Sequence, residues 1–221
     1  MHMGDLLRLV ADTPRCSIAG IYDPDIHKMT AAIETHSIPS NRVFTDLQTA
    51  VAEAGADAAI VCSTTAEHAN ITVAAFEAGL HVICEKPFAA NVADADRMIE
   101  ASTAAGRTLA VNWPLAWYPP HITTKRLIDE GTIGDVLEVH FYDGNRGPLR
   151  HLADKIEVSE QEAADMKRAS WWYAPARGGG SLLDYLGYGT TLGTWFHNGA
   201  EPIEITAVID ERGVRGVSGE E

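Results

Sequence analysis

Residues 58–87 read AAIVCSTTAEHANITVAAFEAGLHVICEKP. The first five, Ala58 to Cys62, are apolar throughout, the pattern of a parallel strand covered on both faces. A helix-like stretch over residues 66–78 closes at Gly79 and leads into a second apolar run over residues 80–84. Strand, helix and strand at this spacing make a parallel βαβ unit. Its end places Glu85, Lys86 and Pro87 just past the carboxyl end of a buried strand, where open α/β sheets bind ligands. A lysine held there loses its proton more readily than a solvated one, because burial disfavours the charged form. The proline beside it restricts the backbone. Alone, Glu-Lys-Pro is an ordinary turn tripeptide, and its surroundings are what give it weight.

The alternation extends outward from this unit. Upstream, residues 1–10 read as a helix with Leu6, Leu7 and Val10 on one face, and residues 17–22 as a strand ending at Asp23. A helix over about 25–34, a short strand at Val43 and Phe44, and a helix capped by Asp46 and running towards Glu53 follow. Downstream come a helix over 92–104 and a strand over 108–112. The class is α/β: a doubly wound parallel sheet of Rossmann type over residues 1–113. The aromatic and proline-rich segment 113–120 marks a domain junction.

Residues 114–221 read as a partial α+β substrate and oligomerisation domain. A helix to about Asp129, a Gly-Thr-Ile-Gly turn at 131–134 and a period-2 strand over 136–142 open it. A long irregular stretch then reaches Trp171, Trp172 and Tyr173, where Gly178, Gly179 and Gly180 start a helix to about Phe196. The last strand-like run is 203–209, and the Gly-rich, charged tail 211–221 is expected to be disordered or an artificial end. The sequence contains no internal repeat and no low-complexity tract.

At 221 residues, with 46% hydrophobic and 22% charged residues, the composition is that of a globular protein. No apolar run approaches the ~20 residues that a membrane span needs. The net charge of −14, with no basic stripe, argues against nucleic acid or an anionic membrane as partner. Cys16, Cys62 and Cys84 sit in apolar runs without metal-ligand spacing, so buried thiols in a reducing cytoplasm are expected. His2, His36, His121 and His151 show no spacing that makes a metal site.

Asp23 ends what reads as the second strand of a dinucleotide fold, and a glycine-rich phosphate turn belongs about 20 residues before it. Only Gly4 stands there. The expectation is therefore a chain lacking the first strand and the phosphate turn, and truncated at the other end too. Such a fragment is expected to be poorly stable and inactive as isolated.

The run Ala58 to His68, then Glu85-Lys86-Pro87, then Gly178-Gly179-Gly180-Ser181-Leu182-Leu183-Asp184 and Tyr188 occur in an order that resembles the glucose–fructose oxidoreductase and inositol dehydrogenase (Gfo/Idh/MocA) family. The resemblance covers nearly the whole chain. It implies an NAD(P)-dependent oxidoreductase acting on sugars, polyols or related secondary alcohols, cytoplasmic, and a homo-oligomer when full length. Lys86 matches the family's active-site lysine, with Glu85 and Pro87 shaping its turn. Asp184 matches the acid that opens the catalytic helix. Tyr188 stands where inositol dehydrogenases carry histidine, a departure shared with the glucose–fructose oxidoreductase and dihydrodiol dehydrogenase branch. Ser63, Thr64, Thr65 and His68 fall on the loop and helix start that line the cofactor.

The residues agree on their own terms. Asp184 and Tyr188 are four apart, so a helix puts them on one face. Removing a hydroxyl proton during hydride transfer suits a tyrosine whose pKa is lowered, and a lysine ammonium lowers it by favouring the phenolate. Lys86 and Tyr188 are therefore expected to work as a pair, although Tyr188 also suits plain helix packing beside Gly187, and Asp184 a solvated helix face. The Asp23 carboxylate favours NAD over NADP by repelling a 2′-phosphate, and NADP remains the other cofactor the family allows. Trp171, Trp172 and Tyr173 wall a pocket or simply pack. The competing function is a non-catalytic ligand-binding or sensor protein on the same fold, or an inactive fragment of the enzyme.

Overall fold

Short-range signals set the helix ends in the first half of the chain. Helix α1 (His2–Asp12) turns Leu6, Leu7 and Val10 inward. Strand β1 (Ile21–Tyr22) leads to α2 (Ile26–His36), whose cap Asp25 accepts the His27 N–H. After β2 (Val43–Phe44), Asp46 accepts the Thr49 N–H and caps α3 (Leu47–Glu53). Next come β3 (Ala58–Val61), α4 (His68–Glu77) and β4 (His81–Glu85). Asn91 caps α5 (Val92–Ala105), Gly106 ends it in the left-handed region at φ 59°, and β5 (Leu109–Asn112) follows. A left-handed residue is where a helix most often stops on glycine.

The computed structural model describes residues 2–143 and 159–208. The chain divides into two compact units, residues 1–63 with 67–112, and residues 64–66 with 113–221. In the first unit all the strands are parallel, in two pieces: β1 pairs with β2, and β4 lies between β3 and β5. The register sets Ile60 beside Ile83 and Cys84 beside Val111. The core of this unit is Val61, Ala75, Phe76, Leu80, Val82 and Cys84, where α4 covers one face of β3 and β4. Burying a side chain such as Phe76 contributes about 1.5–3 kcal/mol.

Three expectations for this unit need correction. Of the strand foreseen over 17–22, only Ile21 and Tyr22 are in a ladder. The apolar run 58–62 predicts a strand covered on both faces, yet Ile60 is exposed, as are Ile83 and Val111 on the neighbouring strands. Alternation along β4 explains this: Val82 and Cys84 point into the core, so Ile83 points away. Cys16 is exposed, not buried.

In the second unit a short 3₁₀ turn (Pro114–Trp117) precedes α6 (Pro119–Asp129), and α7 (Glu160–Ala169) and α8 (Ser181–Phe196) follow. Helix α7 lies where an irregular stretch was expected. Its start is a capping box, Ser159 accepting the Glu162 N–H while the Glu162 carboxylate accepts the Ser159 N–H. The strand foreseen over 136–142 does not form, and Leu137 and Tyr142 are exposed. Residues 203–208 form none either; Ile203, Ile205 and Val208 are almost fully exposed. Phe141 instead packs on Gly189 of α8, where a Cβ would come within 2.8 Å of its ring. His151, Ile209 and the 211–221 tail lie outside the described residues. Among the described residues, no helix is long and apolar enough to cross a membrane.

Candidate functional site

In the first unit Ser63, Glu85, Lys86 and Pro87 lie at the carboxyl ends of β3 and β4, and Asp23 at that of β1. Glu85 is the last residue of β4 and is buried. Its Oε1 accepts a 2.5 Å hydrogen bond from the Asn112 side-chain amide at the end of β5, and its Oε2 accepts the Lys86 backbone N–H at 3.2 Å. The carboxylate thus ties β4 to β5 and fixes the start of the lysine turn. Lys86 is half-buried, and the Lys86–Pro87 peptide is cis. Asn112 escaped the sequence reading. Its position at the end of a strand parallel to the Glu85 strand was the available signal.

His68 opens α4 and is 1% exposed. Its Nδ1 lies 3.2 Å from the Phe88 carbonyl oxygen and its Nε2 lies 3.3 Å from that of Ser63. The ring therefore bridges the loop after β3 and the turn after β4. The Phe88 carbonyl also faces the Cys84 thiol at 3.9 Å. Burial pushes the Cys84 thiol up to about 12 and the Cys62 thiol up to about 11, so both stay protonated at neutral pH.

Asp23 follows β1. Its N–H donates to the Phe44 carbonyl at 3.3 Å, which carries the β1–β2 ladder one residue further. Its Oδ1 accepts the Asp25 N–H at 2.9 Å, and Lys28 Nζ stands 3.8 Å from the same oxygen. A carboxylate at the end of a parallel strand is the fitting partner for ribose hydroxyls. Lys28 was not singled out from the sequence.

In the second unit Thr65 is buried and Thr64 half-buried. Asp184 is in the first turn of α8 and Tyr188 one turn later, as the spacing requires. The Asp184 carboxylate accepts a 2.9 Å hydrogen bond from the Trp172 indole N–H. Trp172 stacks edge-on with Tyr173 at 4.8 Å and with Tyr185 at 6.5 Å, and the Tyr185 ring is 6.3 Å from Tyr188. Trp172 therefore packs among aromatic rings and at the same time donates to Asp184. The three glycines have a steric cause. A Cβ on Gly179 would lie 2.2 Å from the Trp172 carbonyl oxygen, and Gly178 and Gly180 have φ of 73° and 112°.

Among the described residues, no cluster of His, Cys, Asp and Glu is arranged to hold a metal ion. Each unit carries its own part of the predicted set: a strand-end carboxylate and a lysine on a braced turn in the first, a carboxylate and a phenol on one helix face in the second.

The oxidoreductase family model GFO_IDH_MocA, an NAD-binding Rossmann fold, matches residues 3–113, and the GFO/IDH/MocA C-terminal domain model matches residues 121–219. Inositol 2-dehydrogenase of Gluconacetobacter diazotrophicus is 40% identical over 122 residues, 55% of this chain and 36% of that protein. The crystal structure of aldose–aldose oxidoreductase from Caulobacter crescentus, complexed with glycerol, shares the fold at TM-score 0.68 and 23% identity, over 89% of this chain and 54% of that one. An inositol dehydrogenase homolog from Azotobacter vinelandii, complexed with NADH and myo-inositol, matches at TM-score 0.55 and 26% identity, over 61% and 38%. The chain spans between 36% and 50% of the length of curated relatives of this kind.

Proposed function

Because the chain belongs to the GFO/IDH/MocA oxidoreductase family, we propose that it serves as an NAD-dependent dehydrogenase of a sugar, polyol or related secondary alcohol. The observation that carries this reading is the lysine turn. Lys86 stands directly beyond the central strand of β3–β4–β5, on a backbone held by Glu85 and Asn112. Open α/β sheets bind their ligands at that edge.

A bound nicotinamide cofactor supplies or accepts the hydride. In this reading the Asp23 carboxylate takes the adenine-side ribose hydroxyls, which disfavours the 2′-phosphate of NADP. Ser63 and Thr64 line the cofactor from the loop after β3, with the buried Thr65 and His68 supporting that loop. The Lys86 ammonium polarises the reacting oxygen, favouring its alkoxide character. The Tyr188 hydroxyl accepts the alcohol proton, and Asp184, oriented by Trp172, presents a carboxylate to the substrate hydroxyls. Residues 1–113 act as the nucleotide-binding domain and 114–221 as the substrate domain in the same proposal.

A graft tests it. Residues 21–112 replace the matching residues of the Gluconacetobacter inositol 2-dehydrogenase, and the purified chimaera is titrated with NADH and NADPH. NADH is expected to bind more tightly. Tighter binding of NADPH overturns the role of Asp23, and a folded chimaera that binds neither overturns the dehydrogenase reading. A graft extended to residue 196 tests Tyr188→Phe, which is expected to cut turnover about 10²–10⁴-fold.

A further inference from the structure

The functional reading gives the His68 ring no chemical step, yet this ring is almost completely enclosed beside the lysine turn. It is 1% exposed and lies between two backbone carbonyls, Phe88 O at 3.2 Å from Nδ1 and Ser63 O at 3.3 Å from Nε2. Carbonyl oxygens only accept and a neutral imidazole carries one N–H, so the ring donates to one of the two carbonyls and packs against the other. The two carbonyls are 25 residues apart in sequence, one on the loop after β3 and the other two residues past Lys86. The ladder of β3 and β4 ends at Val61 and Cys84, so both loops extend beyond the last strand pairing. A further tie on this turn is the Glu85 carboxylate, which holds it from the β5 side.

We propose that His68 is a positioning residue: a buried strut that locks the loop after β3 to the turn carrying Lys86, so that both parts of the ligand edge keep one geometry. Its functional meaning rests on the role given to Lys86 above. The strut itself is a property of the empty chain. Leucine in its place fills much of the volume but removes the ring N–H that one of the two carbonyls accepts. Asparagine puts an amide donor near the Nδ1 position and glutamine near the Nε2 position. Each therefore restores one contact and not the other.

The test is hydrogen–deuterium exchange on the 221-residue chain without nucleotide, comparing wild type with His68→Leu, His68→Asn and His68→Gln. In His68→Leu, exchange is expected to rise about tenfold in both 63–66 and 86–90, with α5 unchanged. One of His68→Asn and His68→Gln, the one whose amide takes the place of the ring N–H, is expected to keep the protection that the other loses. Unchanged exchange in both segments overturns the strut. So does a uniform rise across the first unit, or identical behaviour of the asparagine and glutamine variants. If His68→Leu yields no folded protein, the asparagine–glutamine contrast decides alone. A failed cofactor reading appears instead in the NADH titration of the chimaera, which leaves these exchange rates untouched.

Discussion

Strand β4 and the segment 203–208 carry similar sequence signals and meet opposite fates. Both are short and rich in β-branched residues, HVICE in one and IEITAV in the other. β4 is paired on both edges, by β3 and β5, with Val82, Cys84 and Glu85 buried. The segment 203–208 pairs with nothing among the described residues, and Ile205 is 81% exposed. The difference lies in the neighbours. A backbone becomes a strand when adjacent strands take up its N–H and C=O groups, and an apolar pattern alone supplies none of them. The first unit brings its own neighbours through βαβ connections, whereas 136–142 and 203–208 have no strand partner among the described residues.

If that contrast is right, substitutions in the two regions differ greatly in cost. Phe76→Ala, at the centre of the α4–sheet core, is expected to destabilise the first unit by about 3–5 kcal/mol in urea unfolding. A loss below about 1 kcal/mol would show that this core is already loose. Gly179→Ala tests the well-built part of the second unit. Its Cβ meets backbone atoms of Trp171 and Trp172, which cannot swing aside, and a cost of about 1–3 kcal/mol is expected. Loss of near-ultraviolet circular dichroism from the Trp172–Tyr173 pair would accompany it. Asn91→Ala removes the α5 cap and is expected to cost about 1 kcal/mol.

At the low end, Ile205→Ser is expected to change stability by less than about 0.5 kcal/mol, because the side chain touches little. A large loss would mean that 203–208 is packed in solution. A pH series adds a control within the first unit. Hydrogen bonds from the Thr49 hydroxyl and N–H hold the Asp46 carboxyl below its ordinary value of 3.8. Its folded pKa is depressed, so the cap's contribution is present above about pH 4 and is lost as pH falls through the lower folded value. Asp46→Asn is expected to flatten the urea-midpoint profile in that acid window and leave the neutral region less affected.

Much of the first unit was legible from local chemistry. Asp46 and Asn91 stand at helix starts, Gly79 and Gly106 at helix ends, and each boundary found lies within a few residues of the pattern. Helix α7 was missed because its residues, EQEAADMKRA, have no apolar stripe, although Ser159 and Glu162 already spelled the capping box. Of the site, Lys86 could be placed at a strand end and Asp184 and Tyr188 on one helix face, since both follow from spacing. The partners could not. Asn112 reaches Glu85 and Trp172 reaches Asp184 across 27 and 12 residues, and His68 turns out to brace backbone. Such contacts depend on how strands and helices are laid side by side, which no local window contains.

The role of Lys86 is the claim on which the rest depends, and turnover of the 21–112 graft with NAD and myo-inositol tests it most directly. With Lys86→Ala, kcat is expected to fall about 10²–10⁴-fold while the circular dichroism spectrum stays that of the unsubstituted graft. A correctly folded Lys86→Ala graft that keeps near-full kcat would contradict it.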